Sequence, residues 1–467
     1  MSKNRLSAVL CCTLLLVFTV SVAAQKSASN SGWDKIADDV LQKTGVPSAS
    51  VAVVRDGKID YLHAYGYSNL ENKTAADPKM RYSIGSISKQ FTAAAILLLQ
   101  EQGKLSLSDK VGKWIPGLTA GDRITIRQIL SHTSGYRDFW AQDYVMPPML
   151  KSVTAQQILN DWAKIPLDFE PGTRWQYSNT NYVIAGLIVE KAAGKPVLDF
   201  LREKIFNPLD MKSVTNTDEA KLPPSDPTGY MRYALGPLHP APKEGRGWMF
   251  AAGELAMNAE DLAKWDIALM DRKILKPESY KMMEQDVLLA NGVGTGYGLG
   301  VDVGLKDEHR YVAHSGEVSG FVSSNVVFPE DRDAVVVLTN QDAISAASQI
   351  TDKIGTTFFA PSEGPSEKAK AAAEQVFLGL QQGKIDRSLF TSNCNAYFDE
   401  TGLRDYANSL GPLGKVQEFE LVRESLRGGM THRTYRVKFE GQSVSINSYW
   451  MSDGKIEQFI VAPRNQN

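Results

Sequence analysis

Tyr82-Ser83-Ile84-Gly85-Ser86-Ile87-Ser88-Lys89 runs directly into Gln90 to Gln102, an apolar stretch rich in Ala, Ile and Leu that Gly103 closes. A glycine just past such a run is the usual end of a helix, so residues 90–102 are expected to be helical. Ser86 would then stand near the positive end of the helix dipole, and Lys89, three residues on, would return to the same face one turn later. A lysine amine held there and partly desolvated can lose its proton near neutral pH and draw the proton from a serine hydroxyl. The spacing alone proves little, because Ser452-Asp453-Gly454-Lys455 repeats it in what reads as a hairpin turn.

On either side of this segment the pattern changes to strands. Ser48 to Val54 and Ile59 to Tyr67 are β-rich runs joined by Arg55-Asp56-Gly57-Lys58, a hairpin signal. Tyr182 to Ala193 reads as a second helix, closed by Gly194. Strands return at Tyr311 to Ala313, Gly320 to Phe328 and Ala334 to Thr339. Strands at both ends with helices between them predict a mixed sheet in which the two ends of the segment meet, beside a helical region. A Pro, Gly and Ser cluster from Ala360 to Ser366 reads as a linker. Beyond it, Glu367 to Gln382 has helical periodicity, and four strand-like runs follow: Gln417 to Leu426, Met430 to Phe439, Ser443 to Trp450 and Lys455 to Ala462. The expected organisation is a signal segment over 1–24, a main domain over 25–360, a linker over 361–366 and a small α+β domain over 367–467.

The chain has 467 residues, 43% hydrophobic and 22% charged, the composition of globular protein and not of a disordered, collagen-like or coiled-coil chain. Length alone suggests about three domains of ~150 residues. Lys plus Arg is 51 against 53 Asp plus Glu, so bulk charge draws neither nucleic acid nor an anionic membrane. Lys3 and Arg5 lead an uncharged run from Ala8 to Val22, and Val22-Ala23-Ala24 fits a cleavage site, the pattern of a secretory signal. That run is shorter than the ~20 residues that span a bilayer, so no transmembrane anchor is expected after cleavage near Ala24. The mature chain is expected to be secreted or periplasmic, with Cys394 as its sole thiol, no intramolecular disulfide, and that cysteine acting as a buried apolar residue.

No Gly-x-Ser-x-Gly elbow, Walker A loop, His-Glu-x-x-His or Cys-x-x-Cys is present and the six histidines are scattered, so no metal and no cofactor are expected. Two elements give Ser86 to Lys89 a context. Tyr177-Ser178-Asn179 follows the turn at Pro171-Gly172 and precedes a helix, so its tyrosine and asparagine can project from a fixed loop. His314-Ser315-Gly316 sits on a late strand. Tyr67-Ser68-Asn69 and Tyr406-Ala407-Asn408 share the first spacing, and Lys43-Thr44-Gly45 reads as a helix C-cap after Trp33 to Leu41.

In this order, with Tyr82 to Gly85, Leu130-Ser131-His132-Thr133-Ser134-Gly135, and Ala252-Gly253 ahead of Asn258 to Trp265, the chain resembles the serine β-lactamase and penicillin-binding-protein superfamily over roughly Trp33 to Phe359. Within it the likeness is to the class C β-lactamase-like branch, which includes D-alanyl-D-alanine carboxypeptidases, D-aminopeptidases and esterases. The resemblance implies a β-lactamase/transpeptidase-like antiparallel sheet with flanking helices and a helical subdomain. It implies Ser86 as the acylated nucleophile and Lys89 with Tyr177 as the acid/base pair, the choice of base between them left open. Asn179 would hold Lys89 and the substrate amide. Backbone N–H groups of Ser86 and of Glu317, just after Gly316, would form the oxyanion hole. His132 matches a position treated as structural.

True class C β-lactamases carry lysine where this chain has His314. A histidine near its unperturbed pKa of ~6.5 is mostly neutral at pH 7, which favours peptidase or esterase work and predicts a gain on anionic substrates as pH falls. The implied activity is that of a secreted serine acyl hydrolase acting on small-molecule or peptide substrates, peptidoglycan-derived ones included. A β-lactamase, a penicillin or peptidoglycan sensor acylated without turnover, and a binding scaffold are the alternatives. Residues 367–467 loosely resemble the cone-shaped domains similar to nuclear transport factor 2, with a binding, packing or dimerising role; the oligomeric state stays open.

Overall fold

Asp56 and Gly57 both take left-handed backbone, with φ of 52° and 72°, and so close the two-residue hairpin between β1 (Ser48–Arg55) and β2 (Lys58–Asn69). The computed structural model describes residues 32–306, 308–359 and 365–463, in two units divided between Phe359 and Ala360. The expected signal segment lies outside the described residues, as does most of the expected linker.

In the first unit β1 pairs on its other side with β7 (Asp333–Thr339), so strands from the two ends of the unit meet at its centre. The full order is β3 (Thr74–Ala75), β2, β1, β7, β6 (Phe321–Phe328), β5 (His309–Val318), β4 (Asp302–Lys306). Every pairing is antiparallel, so the mixed sheet expected from the strand pattern is corrected to the antiparallel sheet implied by the resemblance. β1 and β7 are buried on both faces because their apolar residues are nearly continuous, and the period of two divides them between two cores. Ala52, Val54, Val336 and Leu338 face the larger core. Val51, Val53, Val335 and Val337 face the smaller one, covered by α1 (32–44) and α5 (Ala346–Gly355).

The larger core is built on α2 (Ser88–Glu101), whose residues from Ser88 to Leu97 are all buried. A helix apolar on every side belongs inside a protein, and α2 packs against α3 (Asn179–Ala193) and, through Phe91 and Trp265, against α4 (Ala259–Met270). Burying each such Leu, Ile or Phe contributes roughly 1.5–3 kcal/mol relative to exposure. Gly194, expected to close α3, has φ 71°, and the Asn258 side chain caps the start of α4 by accepting from the Asp261 N–H. Gly45, with φ 75° and its N–H bonded to the Leu41 carbonyl, makes Lys43-Thr44-Gly45 the C-cap of α1. β5 is longer than the three residues legible as strand, and the edge strand β4 carried no clear strand signal.

The second unit opens with a helix over Pro365–Leu380, so Pro365 and Ser366, read as linker, belong to that helix. Its four strands, Glu418–Arg427, Met430–Lys438, Ser443–Trp450 and Ile456–Pro463, form an antiparallel meander. Two capped helices that the sequence reading passed over, Ser392–Tyr397 and Glu400–Leu410, precede it. Cys394 is buried among Phe377, Phe390 and Phe459, as a small apolar residue. Tyr406-Ala407-Asn408 lies on the second of those helices and Ser452 to Lys455 in the last turn.

Close packing of β5 on the turn before α2 is a backbone contact. A Cβ on Gly316 would lie 1.9 Å from the Ile84 carbonyl oxygen and 2.5 Å from Ser323 Oγ. Gly316→Ala should therefore destabilise the fold by about 1–3 kcal/mol and move the strand off the turn. Denaturant unfolding and intact-mass acylation assays measure both effects; normal stability with normal acylation would contradict this packing.

Candidate active site

Ser86 lies in a single 3₁₀ turn, Gly85–Ile87, and the α-helix proper begins at Ser88. Gly85 has φ 51°, and a Cβ there would come within 2.8 Å of the Glu317 amide nitrogen. Glycine alone allows the turn and β5 to approach this closely, and the approach brings the Glu317 backbone N–H beside the Ser86 turn.

Lys89 is fully buried, and its Nζ is 2.9 Å from Ser86 Oγ, 2.8 Å from Asn179 Oδ1 and 2.7 Å from the Ala252 carbonyl oxygen. Desolvation lowers its pKa to about 7, against the opposing pull of the Asp138 carboxylate. At pH 7 about half of such amines are neutral. A neutral amine has two N–H donors and one lone pair. Asn179 Oδ1 and the Ala252 carbonyl can only accept and so take both donors, which leaves the lone pair for the Ser86 hydroxyl. The contact geometry therefore orients proton transfer from serine to lysine.

Asn179 opens α3, its backbone N–H donating to Asp138 Oδ1 at 2.9 Å. Its side-chain nitrogen is 3.3 Å from Asp138 Oδ2 and 3.4 Å from the Trp140 carbonyl oxygen. Both ends of the side chain are engaged, so Asn179 orients Lys89, and a grip on the substrate amide would have to displace two long contacts. Tyr177 is half-buried, with its ring centroid 5.0 Å from Lys89 Nζ. Burial pushes its pKa well above 10 while hydrogen bonding with Ser86 acts the other way, so the phenol is protonated at neutral pH.

His314 is buried on β5, with Nε2 2.9 Å from the Tyr297 hydroxyl and Nδ1 against the Ser315 carbonyl. The carbonyl can only accept, so Nδ1 carries the proton and Nε2 accepts from Tyr297. Desolvation first, then the positive charge at Lys89, lowers the His314 pKa to about 3. The expectation that this histidine gains charge just below pH 7 is corrected: it stays neutral across the working range because burial penalises its cation and Lys89 repels it.

Ser86, Tyr177, Asn179, His314 and Glu317 line one cleft of about 670 Å³, with Lys89 beneath Ser86. Gly316 is absent from the lining; it is packed on Ile84 and sets the spacing of strand and turn. Asp138, Trp140, Tyr297 and Asp302 belong to the cleft and were not legible in the sequence, since each lies in a loop or at a strand end with no motif around it. Trp175 and Trp248 add apolar wall. Tyr67-Ser68-Asn69 ends β2, where Asn69 bonds Thr228, and is not part of the cleft lining.

An antiparallel sheet flanked by helices, with a serine poised on a turn before the central buried helix, defines a β-lactamase/transpeptidase-like protein. The chain belongs to the Beta-lactamase family, whose model matches residues 33–353. It is similar to penicillin-binding protein 4* of Bacillus subtilis (strain 168), at 29% identity over 348 residues covering 70% of this chain and 76% of that protein. It is 31% identical over 321 residues to protein flp of Staphylococcus aureus (strain MW2), covering 66% of this chain but only 62% of that protein's length. Among solved structures, D-amino acid amidase from Ochrobactrum anthropi SV3, complexed with L-phenylalanine amide, superposes with a TM-score of 0.62 at 26% identity, covering 71% of this chain and 99% of that one. A D-stereospecific amidohydrolase from Streptomyces sp. gives a TM-score of 0.61 at 26% identity, covering 69% and 97%. These relatives support acyl hydrolase activity.

If neutral Lys89 is required, kcat/KM should rise with pH through a midpoint near 7, the pKa of the free enzyme's amine. Asp138→Asn removes the charge that favours the ammonium and should move that midpoint to lower pH. A pH–rate profile on an uncharged ester checks both; a midpoint that holds still or rises in the variant would exclude Lys89 as the titrating group.

Proposed function

We propose that the protein is an exported serine acyl hydrolase of the D-amino-acid peptidase or esterase type, working through an acyl-enzyme at Ser86 on amide, peptide or ester substrates. The observation that carries this reading is the Lys89 lone pair directed at Ser86 Oγ. Lys89 takes the hydroxyl proton as the serine oxygen bonds to the substrate carbonyl carbon. The two electrons of the carbonyl π bond move to its oxygen, where the N–H groups of Ser86 and Glu317 stabilise the charge. As the carbonyl re-forms, the bond to the leaving group breaks and that group takes a proton from Tyr177, which is protonated at neutral pH, and the proton held on Lys89 replaces it. Water then attacks the acyl-enzyme by the same route in reverse and frees Ser86.

The charges around the cleft favour a substrate with a free amine over one with a carboxylate. Asp143, Asp302, Glu317 and Asp342 line it, no Lys or Arg does so among the described residues, and His314 is neutral. Glu317 and Asp342 are partly satisfied by the backbone N–H groups of Ala343 and Gly320. Asp302 is half-buried, its pKa raised by desolvation to about 6, and a substrate ammonium would relieve that cost. The D-stereospecific amidohydrolase and D-amino acid amidase relatives point to amides of D-amino acids as the first compounds to try, with peptidoglycan-derived peptides as the wider class.

Two measurements test the reading. Ser86→Ala should lose all covalent labelling by a fluorophosphonate or a fluorescent penicillin, and Lys89→Met and Tyr177→Phe should each cut turnover by about 100-fold or more. Labelling without turnover in the unmodified protein would identify a sensor instead. D-amino-acid p-nitroanilides with a free amine should be cleaved at least about tenfold better than their N-acetyl forms, and Asp302→Asn should narrow that gap. Equal rates on both forms, or better rates on carboxylate-bearing penicillins, would reject the amine preference.

A further inference from the structure

His132 does more than fill space beneath the Tyr177 loop. Its carbonyl accepts from the Gln176 N–H at 3.0 Å, and its Nδ1 accepts from the Ser178 N–H at 3.2 Å. Those are the residues immediately before and after Tyr177, so one residue holds both shoulders of the tyrosine. Its ring also lies on the Tyr177 ring, with centroids 4.3 Å apart and planes tilted 34°. The Asn181 side-chain nitrogen, 3.4 Å from the same Nδ1, stands on the first turn of α3 and ties the clamp to that helix.

Two costs accompany this arrangement. His132 has φ 58°, a left-handed backbone that residues other than glycine seldom adopt, although histidine takes it more readily than most. With Nδ1 accepting, the ring proton is on Nε2, and Nε2 is buried with no hydrogen-bond partner among the described residues. An apolar side chain would fill this space without stranding an N–H, and glycine would take this backbone without strain. Packing alone therefore does not account for a histidine here. Strain retained beside a reactive side chain is the usual mark of a position that serves the site.

We infer that His132 is a positioning residue for the acid/base group: through its carbonyl, its Nδ1 and its ring it fixes the Tyr177 hydroxyl relative to Ser86 and Lys89. This goes beyond the structural role expected for it and rests on Tyr177 acting in proton transfer. Burial keeps the imidazole neutral, which the acceptor role of Nδ1 requires.

The test compares three variants of the full chain on two substrates with the same acyl group, a p-nitroanilide and a p-nitrophenyl ester. The anilide has the poorer leaving group and depends more on a well-placed proton donor. His132→Leu keeps bulk without the acceptor, and His132→Gly accepts the backbone conformation if the leucine variant fails to fold. His132→Asn tolerates φ 58° and offers Oδ1 in place of Nδ1. In the folded variant without an acceptor, kcat on the anilide should fall by about tenfold or more beyond any fall on the ester, with KM changed little. The asparagine variant should recover to within about threefold of the parent enzyme. Equal losses on the two substrates, or an asparagine variant no better than glycine, would overturn the inference. Tyr177→Phe assayed alongside separates the two levels. If it behaves as the parent enzyme, the acid/base reading itself falls; if it is impaired while the His132 variants are normal, only the positioning role falls.

Discussion

Removing the Lys89 amine from water is the interaction on which the catalytic unit depends. A free lysine titrates near 10.5 and would stay an ammonium at neutral pH; inside the core this one titrates near 7. The difference amounts to roughly 5 kcal/mol spent against the charged form, a sum comparable with the whole net stability of many domains. A carboxylate in direct contact would cancel the effect by stabilising the ammonium. The fold avoids that contact: uncharged oxygens of Asn179 and Ala252 meet Nζ, and Asp138 acts on Lys89 from behind Asn179.

Keeping that amine dry while leaving Ser86 accessible places a demand on the backbone. α2 must be buried on every side, which the helices around it achieve, yet its first turn must open onto a cleft. The turn reaches β5 through glycines at both contact points, Gly85 and Gly316. A side chain at either position would separate the turn that carries the serine from the strand that carries Glu317. The same closeness explains why the third element of the site can be a histidine bonded to Tyr297 and Ser315 without any charge of its own. It stands near Lys89, and a second cation there would meet both burial and repulsion.

The charge pattern of the cleft follows from the same economy of cations. With Lys89 partly neutral and His314 uncharged, the carboxylates of Asp143 and Asp302 face the cleft without a basic side chain to answer them among its lining residues. On the proposed reading such a wall would repel an anionic substrate and leave a place for an amine, with the rings of Trp175 and Tyr297 close by.

Much of this protein was legible in the chain of residues. Hairpin residues Asp56-Gly57, the glycine ends of α2 and α3, and the β-rich runs of β1 and β7 are local patterns whose physics acts over a few residues, and each predicted its element. The nucleophile, Lys89, Tyr177, Asn179 and His314 were legible because they come in short motifs in a fixed order. The partners that decide what those residues do were not. Asp138, Tyr297 and Asp302 are separated from Lys89 and His314 by loops and helices, and no local rule links them; Ala252 was legible as part of a motif, but its carbonyl's contact with Lys89 was not. The sequence therefore named the candidate residues of the site, while their protonation states, the neutrality of His314 above all, were decided by tertiary structure. A pKa depends on which groups surround a side chain and how far water is kept away, and only the assembled core sets both.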